Sequence, residues 1–393
     1  LRVSAGQTGG QGVSAYATRS RFVTSDYGMG GSLQSGMAED RWGGPAATLL
    51  KWETTNQFDV GLDIAFLNSR VNLTVDAYYK KTKDLLLDKL IPMSSGFSRI
   101  QANYGNVTNK GLEISGHFIP VKVRNFLWSI DANISFNRNK VGGLDSDQYS
   151  DVAWGIENMF LVRNGEPIGT LYGYVEDGFY DNEAEVRADP YYRNETDSKV
   201  KSMVGEVKYK NFDEDPVIDN RDRQIIGDTN PDFQYGITNT LEWKNWTFSF
   251  FLQGTQGNDI LNVNLKKFDM ASVDNMPYFI YNNRWTAENR ANAKWPRASR
   301  TSTRAMKASD RYIEDGSYLR CKNVSLSYRF RHPIKFVESI NLAVSVSNLF
   351  TISGYSWMDP DVNSFGSDPK RRGVDMASYP SARTFNFGIQ IGF

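Results

Sequence analysis

Apolar and polar residues alternate along many segments of this chain. In the last ten residues, apolar side chains alternate with asparagine, glycine and glutamine: Phe385, Phe387, Ile389, Ile391 and Phe393. The same period recurs, in places less cleanly, in 1–7, 14–22, 56–67, 71–80, 109–118, 126–137, 233–243, 246–254, 323–330 and 339–348. Because a period of two places alternate side chains on opposite faces of a strand, the pattern predicts an all-β protein with about eleven strands.

The length and chemistry of these segments distinguish two kinds of sheet. Each apolar stretch lasts about nine to eleven residues, which is what a tilted strand needs to cross a bilayer. The opposite face carries Asp, Asn, Lys and Ser, which suits a wet interior. A soluble sheet with one face on a core also alternates, but its strands usually have about five or six residues. The sequence therefore predicts a transmembrane antiparallel β-barrel with Phe58, Leu73 and Ile130 facing lipid.

Short and long connections alternate along the chain. The short ones are 67–70, 119–125, 244–245 and 331–338, and the long ones are approximately 25–55, 87–103, 141–231, 257–317 and 351–382. Membrane barrels have short turns on the inner side and long loops outside. A closed bacterial barrel needs an even number of strands, whereas about eleven are predicted. We therefore expect residues 1–393 to be the carboxyl-terminal part of a larger barrel.

The amino-acid composition argues against several classes of function but says less about the fold. Lys plus Arg and Asp plus Glu number 45 each, so no net charge favours a nucleic-acid partner. One cysteine and two histidines leave little for a disulfide framework, a zinc site or histidine-based catalysis. The mean hydropathy is −0.49, and no apolar run approaches the roughly 18–20 residues of a membrane-spanning helix. Neither the low mean hydropathy nor the lack of a long apolar run excludes a protein that crosses the membrane with alternating strands.

Several motifs, taken together and in order, resemble one family. They are "LKWETTNQFDVGLDIAF", "ANISFNRNKVGGL", "IIGDTNPDFQYG", "YLRCKNVSLSYRF", "NLFTISGYSWMDPDV" and "YPSARTFNFGIQIGF". This set is similar to the carboxyl half of SusC-type (SusC/RagA) TonB-dependent outer-membrane transporters of Bacteroidetes. The resemblance implies a barrel of about 22 strands, of which this chain carries about the last half. It also implies a plug domain and TonB box outside this chain, contact with TonB through that plug, and a SusD-like surface lipoprotein as partner.

An acidic segment, "NFDEDPVIDNRD", carries oxygen ligands at the spacing of a calcium loop. Counted from Asn211, the side chains of Asn211, Asp213, Asp215, Asp219 and Asp222 occupy positions 1, 3, 5, 9 and 12, and Val217 offers its carbonyl at position 7. Pro216 replaces the usual glycine, and the last ligand is shorter than the usual glutamate. The spacing predicts a Ca²⁺ site, and the alternative is a solvated acidic loop.

Aromatic residues in the long loops are candidates for contact with cargo or partner. Flat rings give a sugar an apolar face to stack on, and amphipathic aromatics anchor protein partners. The candidates are Trp154, Tyr172, Tyr174, Tyr191, Tyr192, Tyr278, Tyr281, Trp285, Trp295 and Trp357, of which we select Trp154, Tyr191, Tyr192, Trp285, Trp295 and Trp357. The alternative is that these rings pack loop against loop or lie in the interfacial girdle.

The sequence contains no convincing catalytic constellation. A glycosidase needs two carboxylates on either side of a scissile bond, whereas pairs such as Asp59 and Asp63 lie on one strand face and suit a hydrated lumen. The function we predict is active import of oligosaccharides or peptides across the outer membrane, by a protein that is not an enzyme. The alternatives are a self-contained outer-membrane pore and a secreted glycan-binding β protein.

Overall fold

A computed structural model describes the chain except for residues 11, 13–17, 20–21, 40–44, 98, 153–155, 214, 268–274, 300–306, 335 and 367. The strands are β1 (Arg2–Gly10), β2 (Phe22–Met29), β3 (Ser32–Glu39), β4 (Glu53–Phe66), β5 (Val71–Lys83), β6 (Leu86–Leu90), β7 (Arg99–Asn103), β8 (Asn106–Val123), β9 (Phe126–Gly142), β10 (Gln148–Val152), β11 (Ile156–Val162), β12 (Thr170–Gly173), β13 (Glu176–Phe179), β14 (Val207–Tyr209), β15 (Gln224–Asp228), β16 (Phe233–Trp243), β17 (Trp246–Gln256), β18 (Asp259–Asn262), β19 (Ile313–Asp315), β20 (Tyr318–Ile334), β21 (Val337–Ser353), β22 (Val374–Asp375) and β23 (Thr384–Gly392).

Helices are few and short. They are α1 (Glu183–Ala188), α2 (Asp197–Met203), α3 (Val263–Lys267) and α4 (Tyr278–Asn283), with single 3₁₀ turns at Met93–Ser95, Asn220–Asp222, Arg290–Asn292, Asp310–Tyr312 and Pro369–Arg371. None of the helices in the described part of the chain is long and apolar enough to cross a bilayer.

One antiparallel sheet forms the main body. Its ten strands lie in the order β1-β4-β5-β8-β9-β16-β17-β20-β21-β23. The expected count of about eleven is one too high for the described residues. Segment 14–22, expected to be a strand, lies mostly outside them, and β1 pairs directly with β4. With ten antiparallel strands, β1 and β23 run in opposite directions. The expectation of a larger barrel relied on an odd number of strands, and the observed number no longer supports it. That the chain is part of a larger barrel stays a prediction.

The apolar positions of these strands lie on one open face. Phe58 is 49% exposed and Phe387 is 80% exposed, and Leu73 and Ile130 are also not buried. A soluble sheet packed on a core would bury these side chains. The predicted apolar face is therefore confirmed as an outer surface of the sheet.

The opposite face carries charged and polar side chains that pair across strands. The Arg2 guanidinium lies 2.9 Å from an Asp63 oxygen and 3.0 Å from an Asp76 oxygen, spanning β4. Gly61 lies between them, and a Cβ there would come within 2.2 Å of Asp76 Oδ1. Thr74 also donates to Asp63. This face thus holds a hydrogen-bonded polar network, as the wet interior of a barrel requires.

Turns and loops lie at opposite ends of the sheet. Four short turns join consecutive strands at 67–70, 124–125, 244–245 and 335–336, and long loops span 11–52, 84–105, 143–232, 257–317 and 354–383. Two of the turns are shorter than expected because β8 and β20 continue to Val123 and Ile334. At 17 or 18 residues, β8, β9, β20 and β21 are longer than the bilayer crossing requires. The wall therefore extends beyond the hydrocarbon core.

Three of the long loops fold together into what we call the outer-loop layer, the described residues of 143–232, 257–317 and 354–383. They share a buried apolar core to which each contributes, including Phe160 and Leu171, Leu261 and Tyr312, and Val374. The four-stranded sheet β10-β11-β12-β15 and the three-stranded sheet β19-β18-β22 frame this core. Long loops that bury a core of their own are ordered structures, which is the property a binding surface needs.

Candidate functional site in the outer loops

The acidic segment 211–222 folds around an arginine. The guanidinium of Arg221 lies 3.2 Å from Asp213 Oδ2 and 3.0 Å from Asp219 Oδ2, and it also pairs with Asp215. The hydrogen bonds that Arg221 donates lower the pKa of Asp219. The three carboxylates therefore surround a cation supplied by the chain itself.

The remaining predicted ligands, Asn211, Val217 and Asp222, make hydrogen bonds within the acidic segment. Asp222 is fully buried and accepts hydrogen bonds from the N–H groups of Phe212 and Asp219, at 2.9 and 2.8 Å. The Asn211 amide donates to the Asp215 carbonyl, and the Val217 N–H donates to the Asp215 carboxylate at 2.7 Å. Over the described residues, no group of three or more His, Cys, Asp or Glu side chains is arranged to hold a metal. Ca²⁺ binding by this segment stays a prediction.

Replacing Arg221 with glutamine should raise the affinity for Ca²⁺ at least about tenfold, or 1.4 kcal/mol. The substitution leaves three carboxylates without their cation, and hard oxygen ligands favour Ca²⁺. Isothermal titration of Ca²⁺ into the purified protein measures the effect, and Arg193→Gln, at an exposed arginine in the same loop, is the control. An affinity equal to or below that of the unaltered protein would contradict the prediction.

Two of the six selected aromatics, Trp295 and Tyr192, are buried within the outer-loop layer. Trp154 falls outside the described residues. Trp295 is 8% exposed and belongs to the shared core, and Tyr192 is 3% exposed and packs against Tyr180. Tyr191 remains half-exposed with its ring edge-on to Tyr192 at 4.8 Å. For Trp295 and Tyr192, the loop-packing alternative is the one that the structure supports.

Trp285 connects two loops. Its indole N–H donates to Asp181 at 3.0 Å, and a Cβ on Gly205 would come within 2.6 Å of its ring. Gly205 also has a φ of +81°, so glycine is required there both by conformation and by space. Trp357 is half-buried in the last loop. Trp285 therefore holds loop 257–317 against loop 143–232.

Helix α4 presents three accessible aromatic side chains in a single turn. Tyr278, Phe279 and Tyr281 are 78%, 42% and 51% exposed, whereas Ile280 between them is fully buried in the core. The Arg284 guanidinium stacks on the Tyr281 ring at 3.8 Å. Sequence analysis included Tyr278 and Tyr281 among the loop aromatics but did not select them. The run of three aromatics interrupted by one isoleucine was the available signal.

A buried arginine organises the first of the three loops. Arg223 is 7% exposed, and its guanidinium lies 4.8 Å from the Tyr172 ring centre and 5.7 Å from that of Tyr174. It donates to the carbonyls of Asn158 and Tyr172 at 2.6 and 2.8 Å. Burial lowers the pKa of Arg223. Sequence analysis did not identify this residue, because its partners are backbone carbonyls and rings that only the fold brings together.

Two of the motifs that carried the family resemblance meet in a buried ion pair. Arg320 of "YLRCKNVSLSYRF" is 1% exposed and pairs with the buried Asp359 of "SWMDPDV". Arg320 also approaches Asp361 at 3.4 Å and Ser381 Oγ at 3.1 Å. Burial by itself raises the pKa of Asp359, but hydrogen bonds from the Ser381 and Asp361 N–H groups and from Arg320 together hold it below its ordinary value. This contact fastens loop 354–383 to strand β20.

The sheet and its loops define a class of protein. An antiparallel sheet with an apolar outer face, a polar inner face, short turns at one end and folded loops at the other is the wall of an outer-membrane β-barrel. Comparison with known sequences gives the family directly. Residues 1–349 match the family described as TonB dependent receptor-like, beta-barrel, and the chain belongs to it. It is accordingly an outer-membrane protein, as the motifs had indicated.

Several named proteins are similar to this chain in sequence. The chain is 32% identical to TonB-dependent receptor P26 of Formosa agariphila over 403 aligned residues, covering 100% of this chain and 40% of that protein. It is 29% identical to TonB-dependent receptor SusC of Bacteroides thetaiotaomicron, covering 88% of this chain and 32% of that protein. The chain thus spans 40% or less of the length of these two relatives.

Solved structures agree on the fold. The structure of the RagAB peptide transporter matches with a TM-score of 0.75 at 19% identity, covering 100% of this chain and 40% of that one. The open-open state of the RagAB peptide importer gives a TM-score of 0.74. At this level of identity the likeness establishes the fold alone.

Proposed function

We propose that this chain supplies barrel wall and outer loops to a TonB-dependent importer of oligomeric nutrients, oligosaccharides or peptides, and that it performs no catalysis. The observation that carries the proposal is the outer-loop layer, in which three loops fold over the end of a ten-stranded membrane wall. A pore needs no such structure, whereas a transporter that selects its cargo needs an ordered surface at its outer end. Energy would reach the transporter from TonB through a plug domain.

Growth on defined polymers tests this proposal. Cells that lack the full-length gene should lose growth on the cognate oligosaccharide or peptide as sole nutrient, and so should cells that lack TonB. If growth persists without TonB and the purified protein conducts ions as an open channel, the alternative of a self-contained pore is correct. The family assignment contradicts the other alternative, a secreted glycan-binding β protein.

The partner we propose is a SusD-like surface lipoprotein that covers the outer-loop layer. The sequence analysis selected Trp285 and Trp295 as candidates for contact with cargo or partner, but Trp295 is buried within the layer and Trp285 is bound to Asp181. The exposed rings of α4 offer a better anchor, because aromatic residues dominate binding hot spots. The contact surface is therefore proposed to centre on Tyr278 and Tyr281.

The double substitution Tyr278→Ala and Tyr281→Ala should weaken binding of the lipoprotein by about 2 kcal/mol or more, which is the size of a hot-spot effect. Co-purification of the full-length transporter with its lipoprotein, followed by titration, measures this loss. Tyr27→Ala is the matched control, since Tyr27 is 51% exposed, as Tyr281 is, but lies on β2, outside the outer-loop layer. If the complex survives the double substitution at full affinity, α4 is not part of the interface.

A further inference from the structure

A cavity of about 520 Å³ opens within the first loop of the outer-loop layer. It lies between strands β13 and β14, helix α1 and the acidic segment. We call it the hairpin pocket, and it is lined by Asp177, Tyr180, Glu185, Asp189, Pro190, Lys208, Tyr209, Lys210, Asn211, Phe212, Asp215, Pro216 and Ile218. Its volume is within the range of small-molecule sites, about 300–1,000 Å³.

Part of the lining is apolar and flat. Phe212 is 47% exposed, so its ring is available to a ligand, whereas Tyr180 and Tyr209 are 2% and 6% exposed and form a fixed floor. Pro190 and Pro216 add rigid apolar surface at the edge. An accessible ring beside a rigid floor suits a ligand that has one apolar face.

The carboxylates of the pocket are held in place by the protein. Glu185 accepts from Lys208 Nζ at 2.5 Å and from the Asp181 N–H at 2.6 Å. Asp189 accepts from the Tyr180 hydroxyl and from the Tyr191 N–H at 2.9 Å. An ionised carboxylate has about four acceptor positions, so each keeps some free for a ligand's hydroxyl groups.

The remaining charges narrow the class of ligand. Asp215 is paired with Arg221, and Asp177 is exposed. With Asp215 neutralised by Arg221, three carboxylates remain against the two ammonium groups of Lys208 and Lys210, and this excess of one negative charge disfavours anionic sugars and acidic peptides. Because three of the carboxylates already have donors, a cationic side chain would gain little by entering.

From the flat ring, the pre-positioned acceptors and the excess of carboxylates, we infer that the hairpin pocket binds a neutral sugar unit of an oligosaccharide. A pyranose offers an apolar face to Phe212 and hydroxyl groups to the acceptors of Glu185 and Asp189. This inference rests on the proposed import function and narrows its cargo from oligomeric nutrients to neutral glycans.

Binding of defined probes to the full-length transporter in detergent tests the inference. The probes are maltotetraose, cellotetraose, laminaritetraose, mannotetraose and xylotetraose, with tetragalacturonate and tetralysine as charged comparisons, and titration calorimetry measures each affinity. We expect at least one neutral tetrasaccharide to bind and Phe212→Ala to weaken it about tenfold. Tyr149→Ala is the control, since Tyr149 is 42% exposed in the same loop but does not line the pocket.

Three outcomes would overturn the inference: no neutral tetrasaccharide binds at millimolar concentration, binding is unchanged by Phe212→Ala, or tetralysine or tetragalacturonate binds more tightly than every neutral probe. Each leaves the import function intact if TonB-dependent growth persists. Loss of TonB dependence would instead overturn the import function, whatever the titrations give.

Discussion

Replacing Arg320 with methionine is expected to loosen loop 354–383 and to lower its free energy of local unfolding by about 3–5 kcal/mol. The guanidinium is 1% exposed and its partner Asp359 is 7% exposed, so the substitution leaves a buried carboxylate without its counter-ion. Hydrogen exchange of the loop amides in the full-length protein measures the local free energy.

The control for this experiment lies in the same loop. Arg372 is exposed, and Arg372→Met should change the exchange rates little, because exposed charges contribute about 0–1 kcal/mol. Adding Asp359→Asn to Arg320→Met should restore much of the loss, since the amide removes the unpaired buried charge while its oxygen can still accept from a backbone N–H group. Equal exchange in Arg320→Met and the unaltered protein would show that the ion pair does not fasten the loop.

An arginine in place of Val75 should lower the free energy of unfolding by about 2–4 kcal/mol. Val75 lies on the apolar face of β5 as its fifth residue, which places it near the middle of a crossing of about ten residues. A guanidinium there must enter hydrocarbon or distort the bilayer around it. Urea unfolding in lipid vesicles, followed by the heat-dependent shift in gel mobility, measures the change.

Thr74→Arg is the matched control because Thr74 precedes Val75 and points to the opposite face. Its hydroxyl donates to Asp63, so an arginine there would lie beside a carboxylate in the wet interior. We expect a loss below about 1 kcal/mol at this position. If both variants lose the same free energy, or if Thr74→Arg loses more, the assignment of the two faces is wrong.

The strand segments and their faces could be predicted because alternation is a local property. In β23, Phe385, Phe387, Ile389 and Ile391 alternate with polar residues and glycine, and the structure places these four on the open face. A strand that crosses a bilayer must alternate along its whole crossing, so the signal repeats and is hard to miss. The number of strands was less certain, because segment 14–22 alternates too, yet β1 pairs with β4.

The outer loops could not be predicted in the same way. Their aromatic residues have no period, so Trp295 in the core and Tyr278 at the surface look alike in the sequence. The spacing of the acidic segment suggested Ca²⁺, but the spacing does not reveal that Arg221 folds back among the carboxylates. The sequence identifies such residues as candidates, but it does not show whether each one contacts a partner or packs against another part of the loops.

By itself, the sequence determined the class of fold, the two faces of the wall, the alternation of short turns with long loops, and the family, since each of these is written in local patterns or in whole motifs. Three features became apparent only in the tertiary structure: the core shared by three loops, the ion pair of Arg320 with Asp359, and the hairpin pocket. The physical reason is distance along the chain. Contacts between residues tens of positions apart depend on how the whole chain folds, and no local period records them.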